Sequence, residues 1–208
     1  MAQKSPDLDA AYSLKTPEDS LRLYRAWATT YDSDFAARMD YQMPARIASV
    51  FGTSGEGPVL DIGAGTGLVA ERLADLGIGP VDGVDISTEM LQVAAAKGVY
   101  RQTILADLTK TLPMADQTYR GFVSSGTFTH GHVGPDALDE LLRVAMPGAL
   151  FVLSVHSGVY DAAGFASKLQ ELAPQISQLK TESVAIYGNS AEGDHVDDQA
   201  LIVSFRRD

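Results

Sequence analysis

The architecture of this chain follows from one segment, Val59-Leu60-Asp61-Ile62-Gly63-Ala64-Gly65-Thr66-Gly67-Leu68. Its first four residues are mostly large and apolar, which predicts a short buried strand. Three glycines follow at alternate positions, and the sequence from Leu68 to Leu76 has the apolar spacing of an amphipathic helix. A strand, a glycine-rich turn and a helix N-terminus form a cradle in which backbone N–H groups can meet a small ligand.

Strands and helices alternate on both sides of this cradle. The predicted strands lie at 59–62, 81–86, 101–106, 119–124, 150–155, 183–187 and 200–205. The predicted helices lie at 16–31, 44–52, 68–76, 87–98, 134–145 and 162–172. This alternation favours a doubly wound α/β fold, in which helices cover both faces of a mostly parallel sheet. No helical pattern separates the last two strands, so the final strand is expected to be antiparallel.

The chain is expected to form a single domain, 1–208, of a size that buries a substantial core. Within it, 1–52 would form an N-terminal helical cap or lid, and 58–208 would form the core that contains the cradle. Residues Met1 to Lys15 are polar and mixed, which fits either a disordered tail or a loose lid segment.

The composition restricts the class of protein. Hydrophobic residues make up 45% of the 208 residues, which is typical of a globular protein. No apolar run is long enough to span a membrane, and the first residues lack the apolar core of a signal peptide, so cytoplasmic residence without a membrane partner is expected. The absence of cysteine excludes disulfides, thiolate metal sites, iron–sulfur clusters and cysteine nucleophiles.

The net charge is −11, and the lysines and arginines are scattered along the sequence. A protein of this charge repels a phosphate backbone unless it carries a local basic stripe. We therefore expect a small-molecule ligand and no nucleic-acid partner, with the chain acting as a monomer or a homodimer.

The spacing of the glycines restricts the ligand. A dinucleotide-binding turn has the pattern G-x-G-x-x-G, but here Gly63, Gly65 and Gly67 stand at alternate positions. Leu68 occupies the position of the third dinucleotide glycine, which counts against NAD or FAD. The alternative is a strand–helix turn that binds nothing, although three glycines in five residues carry an entropic cost that such a turn does not require.

Two aspartates end the next two predicted strands on the same edge of the sheet. Asp85 can accept hydrogen bonds from ribose hydroxyls, or it can cap the following helix, a position for which Ser87 is also suited. Asp107 can accept a hydrogen bond from the exocyclic amine of adenine, with Leu108 packing near the ring, or it can form a local Asx-turn.

Together these motifs resemble the class I S-adenosylmethionine-dependent methyltransferases. The match rests on Asp61-Ile62-Gly63-Ala64-Gly65-Thr66-Gly67, Val84-Asp85-Ile86-Ser87 and Ala106-Asp107-Leu108. Trp27 to Asp32 and Ser125 to Val133 look like the small-molecule branch of that family called Williams–Beuren-region methyltransferase-like. The resemblance implies a seven-stranded Rossmann-like sheet, S-adenosylmethionine as cofactor and S-adenosylhomocysteine as product. Ser124-Ser125-Gly126-Thr127 stands where amino-DNA methylases have an Asn-Pro-Pro-Tyr type motif, which argues against adenine-N6 or cytosine-N4 DNA methylation.

The resemblance also implies where the parts of the cofactor lie. The methionine part would lie against Gly63, Ala64 and Gly65, with Asp61 near its amino group and Ser125 on the sulfonium side. The expected cofactor-binding residues are Tyr31, Asp61, Gly63, Ala64, Gly65, Gly67, Asp85, Ile86, Met90, Asp107, Leu108 and Ser125.

For the adenosine part, the resemblance implies that Asp85 holds the ribose and that Ile86 packs on adenine. Asp107 and Leu108 would meet the adenine edge, and Tyr31 would close over the cofactor.

The predicted first helix begins at Thr16-Pro17-Glu18-Asp19, a capping-box-like sequence. Trp27 and Tyr31 lie four residues apart on one face of it. Such a pair either packs in the core, which is favoured for Trp27, or forms a lid that excludes water, which is equally possible for Tyr31. Asp32-Ser33-Asp34 is expected to interrupt the helix.

Three histidines, His130, His132 and His156, follow the fourth and fifth predicted strands on the same edge of the sheet. Any of them could act as a general base for a substrate hydroxyl or amine, or be an ordinary loop residue. The His-x-His spacing also suggests a metal, but no companion carboxylate motif is visible, so no metal site is expected. His195 lies among acidic residues and is expected to be solvated.

The sequence therefore predicts an enzyme that transfers a methyl group from S-adenosylmethionine to a small-molecule acceptor by in-line displacement. One alternative is a non-catalytic S-adenosylmethionine-binding sensor or partner subunit. A less favoured alternative is an NAD-dependent reductase, which Leu68 and the lack of a Tyr-x-x-x-Lys pair after the fourth strand oppose.

Overall fold

The computed structural model describes residues 8–14 and 16–208, apart from the side chains at 9 and 17. The predicted tail or lid at the start of the chain lies outside these residues except for 8–14. Those residues contain a short helix, α1 (Leu8–Tyr12), that the sequence did not predict.

Seven strands form one sheet in the order β3-β2-β1-β4-β5-β7-β6. Their bounds are β1 (Val59–Ile62), β2 (Val81–Asp85), β3 (Gln102–Leu105), β4 (Tyr119–Phe128), β5 (Ala145–His156), β6 (Ile176–Ala185) and β7 (Gln199–Arg207). Strands β1 to β5 pair in parallel, whereas β7 is antiparallel to both of its neighbours. The predicted mostly parallel sheet with an antiparallel final strand is confirmed.

The helices after α1 lie on both faces of this sheet. They are α2 (Pro17–Trp27), α3 (Met43–Gly52), α4 (Leu68–Asp75), α5 (Thr88–Ala96), α6 (Ala137–Val144), α7 (Ser157–Tyr160) and α8 (Phe165–Glu171), with a π-helix (Tyr31–Ala37) between α2 and α3. Each face has its own hydrophobic core. Leu138 and Phe165 pack on one face with β1 residue Leu60, and Ile47 and Leu73 pack on the other with Val59, because alternate residues of a strand point to opposite faces.

Local sequence chemistry fixes where the helices near the cradle begin. The Thr16 side chain accepts a hydrogen bond from the Asp19 backbone N–H at 3.1 Å, as the capping sequence predicts. Ser87 caps α5 in the same way, accepting from the Met90 N–H at 3.3 Å. Gly67 begins α4 with φ of 91°, a backbone conformation that side-chain-bearing residues rarely adopt.

Three local expectations were wrong. Asp32-Ser33-Asp34 does not end a helix but lies inside the π-helix, whose wider turn leaves Tyr31 and Phe35 with ring centroids 4.9 Å apart. The residues between the predicted helix 134–145 and the predicted strand 150–155 were expected to connect these elements, but they belong to β5, and Pro147-Gly148 forms a bulge within it. The register of β5 advances from Ala145 to Leu150 while that of β4 advances by two residues.

The third wrong expectation is the length of β6, which begins seven residues earlier than the predicted 183–187 strand. Between Ser177 and Ser183 its residues are almost all exposed, so no alternation of apolar and polar residues marks them as a strand. Within 8–14 and 16–208, no helix has both the length and the apolar character needed to cross a membrane.

Candidate functional site

A first cavity lies over the carboxyl ends of the parallel strands. It contains about 950 Å³ of space between atoms, part of it open to solvent. Ten of the predicted cofactor-binding residues line it: Tyr31, Gly63, Ala64, Gly65, Asp85, Ile86, Met90, Asp107, Leu108 and Ser125. Residues from six separate segments of the chain therefore lie around one cavity.

The cradle turn is shaped by glycines and by the neighbouring strand β4. Gly63 and Gly65 have φ of 63° and 53°, and a Cβ on Gly63 would overlap with the Thr127 side chain. Ser124 and Thr127 both donate hydrogen bonds to the Ile62 carbonyl, at 2.8 and 2.9 Å. At Gly65, by contrast, a Cβ would approach no atom closer than 4.0 Å, so a side chain would occupy space that a ligand can take.

Asp85 connects the end of β2 to the cradle. Its Oδ2 accepts a hydrogen bond from the Gly65 N–H at 2.9 Å, and its Oδ1 accepts from the Ser87 N–H at 2.8 Å. Burial raises the pKa of this carboxyl, although these two N–H groups oppose the increase. Because Ser87 provides the helix cap, the Asp85 carboxylate is left at the cavity wall, where its remaining lone pairs can accept from hydroxyl groups.

Asp61 and Gly67 do not line the first cavity but support the cradle from beneath. Asp61 is 1% exposed, and its Oδ2 accepts a hydrogen bond from the Tyr100 hydroxyl at 2.7 Å. Its Oδ1 is buried with no hydrogen-bond partner among the described residues. Burial raises the pKa of Asp61 to about 7. Gly67 faces Tyr100 as well, since a Cβ there would lie 3.1 Å from that ring.

The opposite wall of the first cavity is apolar apart from one carboxylate. Ile86, Met90 and Leu108 form a surface suited to a flat ring, and Asp107 lies beside it. Asp107 accepts hydrogen bonds from the N–H and hydroxyl of Thr109 at 2.9 and 2.6 Å. These bonds form the local Asx-turn that is the alternative role of Asp107 in the sequence analysis. Burial alone would raise the pKa of Asp107, but hydrogen bonds from Thr109 and Lys110 outweigh it and hold the pKa below its usual range.

The described residues before β1, which we call the cap, close the cavity from above. Asp32 of the π-helix connects the cap to the cradle. Its Oδ1 accepts from the Thr66 hydroxyl of the cradle at 2.5 Å, and its Oδ2 lies 2.6 Å from Lys97 Nζ. Lys97 also pairs with Glu71 of α4 at 2.7 Å and is only 17% exposed. Side chains from the cap, the cradle, α4 and the end of α5 therefore meet at one point.

A second cavity adjoins the first and contains about 550 Å³ of space between atoms, part of it open to solvent. Besides Tyr12 and Phe128, its wall contains six aromatic side chains whose neighbouring rings lie 4.9 to 6.4 Å apart, an ordinary spacing for aromatic pairs. They are Tyr24, Trp27, Tyr31, Phe35, Tyr41 and Tyr187. Trp27 is 3% exposed and packs in the core, the position that the sequence favours for it. Tyr31 lines both cavities.

The three candidate bases occupy different positions. His132 lines both cavities, and its Nε2 lies 2.9 Å from the Tyr24 hydroxyl. His156 lines only the second cavity, and His130 lines neither but packs against His156 with ring centroids 4.7 Å apart.

His195 is not solvated as expected. Its ring packs edge-on against Tyr12 at 4.7 Å, and its Nδ1 lies 3.1 Å from Asp198 Oδ2. No group of three or more His, Asp or Glu side chains in the described part of the chain is arranged to hold a metal ion.

Sequence reasoning did not name several residues that line the first cavity. Thr66 and Thr127 lie inside or beside motifs that were recognised, and Tyr24 lies one helical turn before Trp27, so position alone could have identified them. Tyr41 gave no such signal. It reaches the cavity through a bridge to Tyr187 near the far end of the chain, and its hydroxyl lies 2.9 Å from Ser125 Oγ.

Residues 60–153 match a family model described as a methyltransferase domain. Methyltransferase-like protein 27 of Homo sapiens is 32% identical to this chain over 154 residues, which is 71% of this chain and 62% of that protein. Demethylmenaquinone methyltransferase of Thermobifida fusca is 35% identical over 147 residues, covering 67% of this chain and 61% of that protein. The matched part of the chain thus spans about six tenths of these curated relatives.

The fold is also similar to solved structures. An S-adenosylmethionine-dependent methyltransferase from Aquifex aeolicus superposes with a TM-score of 0.62 at 20% identity, covering 88% of this chain and 98% of that one. At this identity the similarity concerns the fold, including the sheet whose carboxyl edge holds the first cavity.

Proposed function

The chain belongs to the class I S-adenosylmethionine-dependent methyltransferases, and from this premise we propose that it transfers a methyl group from S-adenosylmethionine to a small-molecule acceptor. The observation that carries the proposal is the first cavity. It combines a glycine cradle open to a ligand with an apolar wall and two carboxylates at successive strand ends.

The residues present fit the chemistry of this cofactor. The Gly63–Gly65 turn would hold the methionine part, since the open space at Gly65 allows close approach to the backbone. Asp85 would accept from the ribose hydroxyls, and the apolar wall of Ile86 and Leu108 would hold adenine. The buried, unpartnered Oδ1 of Asp61 beneath the turn is suited to a cationic amino group. These assignments extend the sequence prediction.

The sulfonium of S-adenosylmethionine supplies an activated methyl group, so the protein needs no covalent intermediate. What the chain must do is position the acceptor in line with the methyl carbon and exclude water. The cap is suited to both tasks, because Tyr31 and Tyr41 cover the cavity and Asp32 ties the cap to the cradle.

A small-molecule acceptor is supported by the second cavity and by the net charge of −11, which opposes binding to nucleic acid. The name of demethylmenaquinone methyltransferase, a relative by sequence, indicates that this relative methylates a small molecule. A monomer or homodimer in the cytoplasm remains the expectation.

A non-catalytic S-adenosylmethionine-binding sensor is the second candidate. The first cavity alone would serve it equally well. The second cavity, with His132 where it meets the first, favours an enzyme because a sensor needs no acceptor chamber.

Two measurements test the proposal. Calorimetry should detect binding of S-adenosylhomocysteine in the micromolar range and none of NADH; the reverse result would overturn the proposal. Incubation of the protein and a metabolite extract with methyl-labelled S-adenosylmethionine should then label a small molecule, whereas binding without any labelled product would favour the sensor.

A further inference from the structure

The two cavities meet at a small set of shared residues. Tyr24, Tyr31, Tyr41, Gly126 and His132 line both of them. If the cofactor occupies the first cavity, the second cavity is the adjoining space for an acceptor, and the reacting atoms would then meet at this junction. The side chains at the junction are therefore the ones placed to handle a proton of the acceptor.

The hydrogen bonds of His132 fix which ring nitrogen can accept that proton. Its Nδ1 lies 2.6 Å from the His130 carbonyl oxygen, and because a carbonyl can only accept, Nδ1 carries the hydrogen. In the neutral ring Nε2 is then the acceptor, and the Tyr24 hydroxyl 2.9 Å away donates to it. His132 thus presents a basic nitrogen to the junction, with Tyr24 already bonded to it.

The other two candidate histidines lack this arrangement. His156 Nδ1 accepts a hydrogen bond from the Gly158 N–H at 3.0 Å, so its Nε2 carries the hydrogen and offers no lone pair. His130 lines neither cavity. Hydrogen-bond chemistry therefore selects one of the three histidines that the sequence left equivalent.

We propose that Tyr24 and His132 form a proton relay that deprotonates the hydroxyl of a flat aromatic acceptor bound in the second cavity. The proposal rests on the proposed function, since it concerns the acceptor side of the same site. Both groups are held in their neutral forms. Burial lowers the pKa of His132, and burial also raises the pKa of Tyr24 well above its ordinary value.

The class of acceptor follows from the wall of the second cavity. Rings from Trp27, Phe35 and Tyr187 line it, and aromatic walls bind flat apolar rings through stacked and edge-on contacts. One further polar atom of this wall, Thr129 Oγ1, is buried with no hydrogen-bond partner among the described residues, whereas His156 Nε2 lies 3.6 Å from Asp198 Oδ2. An aromatic compound with a second polar group beyond its reacting hydroxyl would satisfy the Thr129 hydroxyl.

The step balances without a further reactant. The acceptor hydroxyl passes its proton to Tyr24 Oη as Tyr24 passes its own proton to His132 Nε2. The acceptor oxygen bonds to the methyl carbon while the carbon–sulfur bond breaks and its electron pair stays on sulfur. The products are a methyl ether, neutral S-adenosylhomocysteine and protonated His132, so one positive charge is present before and after.

The test uses 4-nitrophenol and 4-nitrocatechol as probes, because their phenolates absorb visible light. Each is added to protein saturated with S-adenosylhomocysteine, at a pH where the free probe is mostly protonated. Wild type should bind the probes and show phenolate absorbance. His132→Gln and Tyr24→Phe should lower the phenolate-to-phenol ratio of the bound probe about tenfold, which corresponds to one pKa unit. His195→Gln, a matched exchange outside both cavities, should leave that ratio unchanged.

The outcomes distinguish failure of the proton relay from failure of the proposed function. Calorimetry with S-adenosylhomocysteine tests whether the first cavity is intact in each variant. If His132→Gln unfolds the loop, Tyr24→Phe still tests the relay, because it retains the packed ring. Cofactor binding without phenol binding, or phenolate absorbance that persists in both relay variants, overturns the relay and leaves the proposed function standing. A wild type that fails to bind S-adenosylhomocysteine overturns both.

Discussion

The cradle and the cap are built in different ways, although they face each other across one cavity. The cradle consists of consecutive residues, 59–68, held by strand ends that lie side by side in the sheet. The cap side of the site brings together Tyr24, Tyr31, Tyr41 and Tyr187, which come from well-separated positions in the chain. The cradle presents mainly backbone groups, whereas the cap presents side chains.

The difference indicates how the two halves of the reaction are specified. Backbone N–H groups and absent side chains give a geometry that changes little with sequence, which suits a cofactor used for many reactions. Side-chain rings set the shape of the second cavity, so exchanging a few of them would change the acceptor and leave the cradle intact. Variants of the cradle should therefore affect folding and cofactor affinity, and variants of the cap should affect closure.

The largest effect is expected from Gly63→Ala, which tests whether sterics define the cradle. The new Cβ combines a positive φ with overlap against Thr127, and should cost roughly 2–5 kcal/mol of unfolding free energy. Gly77→Ala is the matched control, because Gly77 has φ of 69° but nothing within 4 Å of the added Cβ. Urea unfolding should show a loss of only about 1–2 kcal/mol there; equal losses would remove Thr127 from the explanation.

Asp85→Ala tests whether the cradle binds through its carboxylate. The variant loses the acceptor at the cavity wall and the hydrogen bond that holds Gly65, so affinity for S-adenosylhomocysteine should fall roughly tenfold to a hundredfold, or about 1.4–2.7 kcal/mol. Asp75→Ala removes an exposed carboxylate that pairs with Arg72 and should leave the calorimetric affinity unchanged. Unchanged affinity in Asp85→Ala would contradict its assigned position.

Asp61→Asn probes the buried charge beneath the cradle through the pH dependence of stability. Its pKa is near 3.8 when unfolded and about 7 when folded, so between these values the folded state holds a proton that the unfolded state has lost. The contribution of this group to the free energy of unfolding is therefore fully present below pH 4, and it is lost as the pH rises through 7. Asparagine cannot ionise, so the stability of the variant relative to wild type should increase by roughly 2–3 kcal/mol between pH 5 and pH 8.

Urea unfolding of both proteins at pH 5 and pH 8 measures this difference. The stability gap between Asp61→Asn and wild type should widen from the lower to the higher pH. A gap that is the same at both values would show that Asp61 ionises normally in the folded protein.

The smallest effect is expected from Asp32→Asn, which weakens the connection between cap and cradle. Lys97 keeps its pair with Glu71, so unfolding free energy should change by less than about 1 kcal/mol. Dissociation of S-adenosylhomocysteine, measured by stopped flow, should become about fivefold faster because the closed cap is less favoured. Asp34→Asn, whose carboxylate accepts only from neighbouring Ser33 among the contacts described, should dissociate like wild type.

The same contrast explains what the sequence could predict. The strand order and the cradle follow from local patterns, because alternating βα units allow few arrangements and three glycines mark the turn. Asp85 and Asp107 were found because residues at the carboxyl ends of parallel strands share an edge.

The acceptor side could not be predicted in this way. Tyr41 and Tyr187 meet through a bridge between residues far apart in the chain, and no local pattern records it. Likewise, sequence alone left three histidines equivalent, because their difference lies in hydrogen bonds to a carbonyl at His132 and to an N–H at His156.

Trp27 is the one tryptophan in the sequence, and its position gives the protein a built-in optical reporter. Its ring is buried in the cap at 5.3 Å from Tyr31 and forms part of the second cavity, but it does not line the first. An aromatic compound that enters the second cavity comes into range to quench its emission directly, whereas a ligand in the cradle alters it only through movement of the cap. Rapid-mixing fluorescence of the unlabelled protein can therefore determine the order in which the two compounds bind.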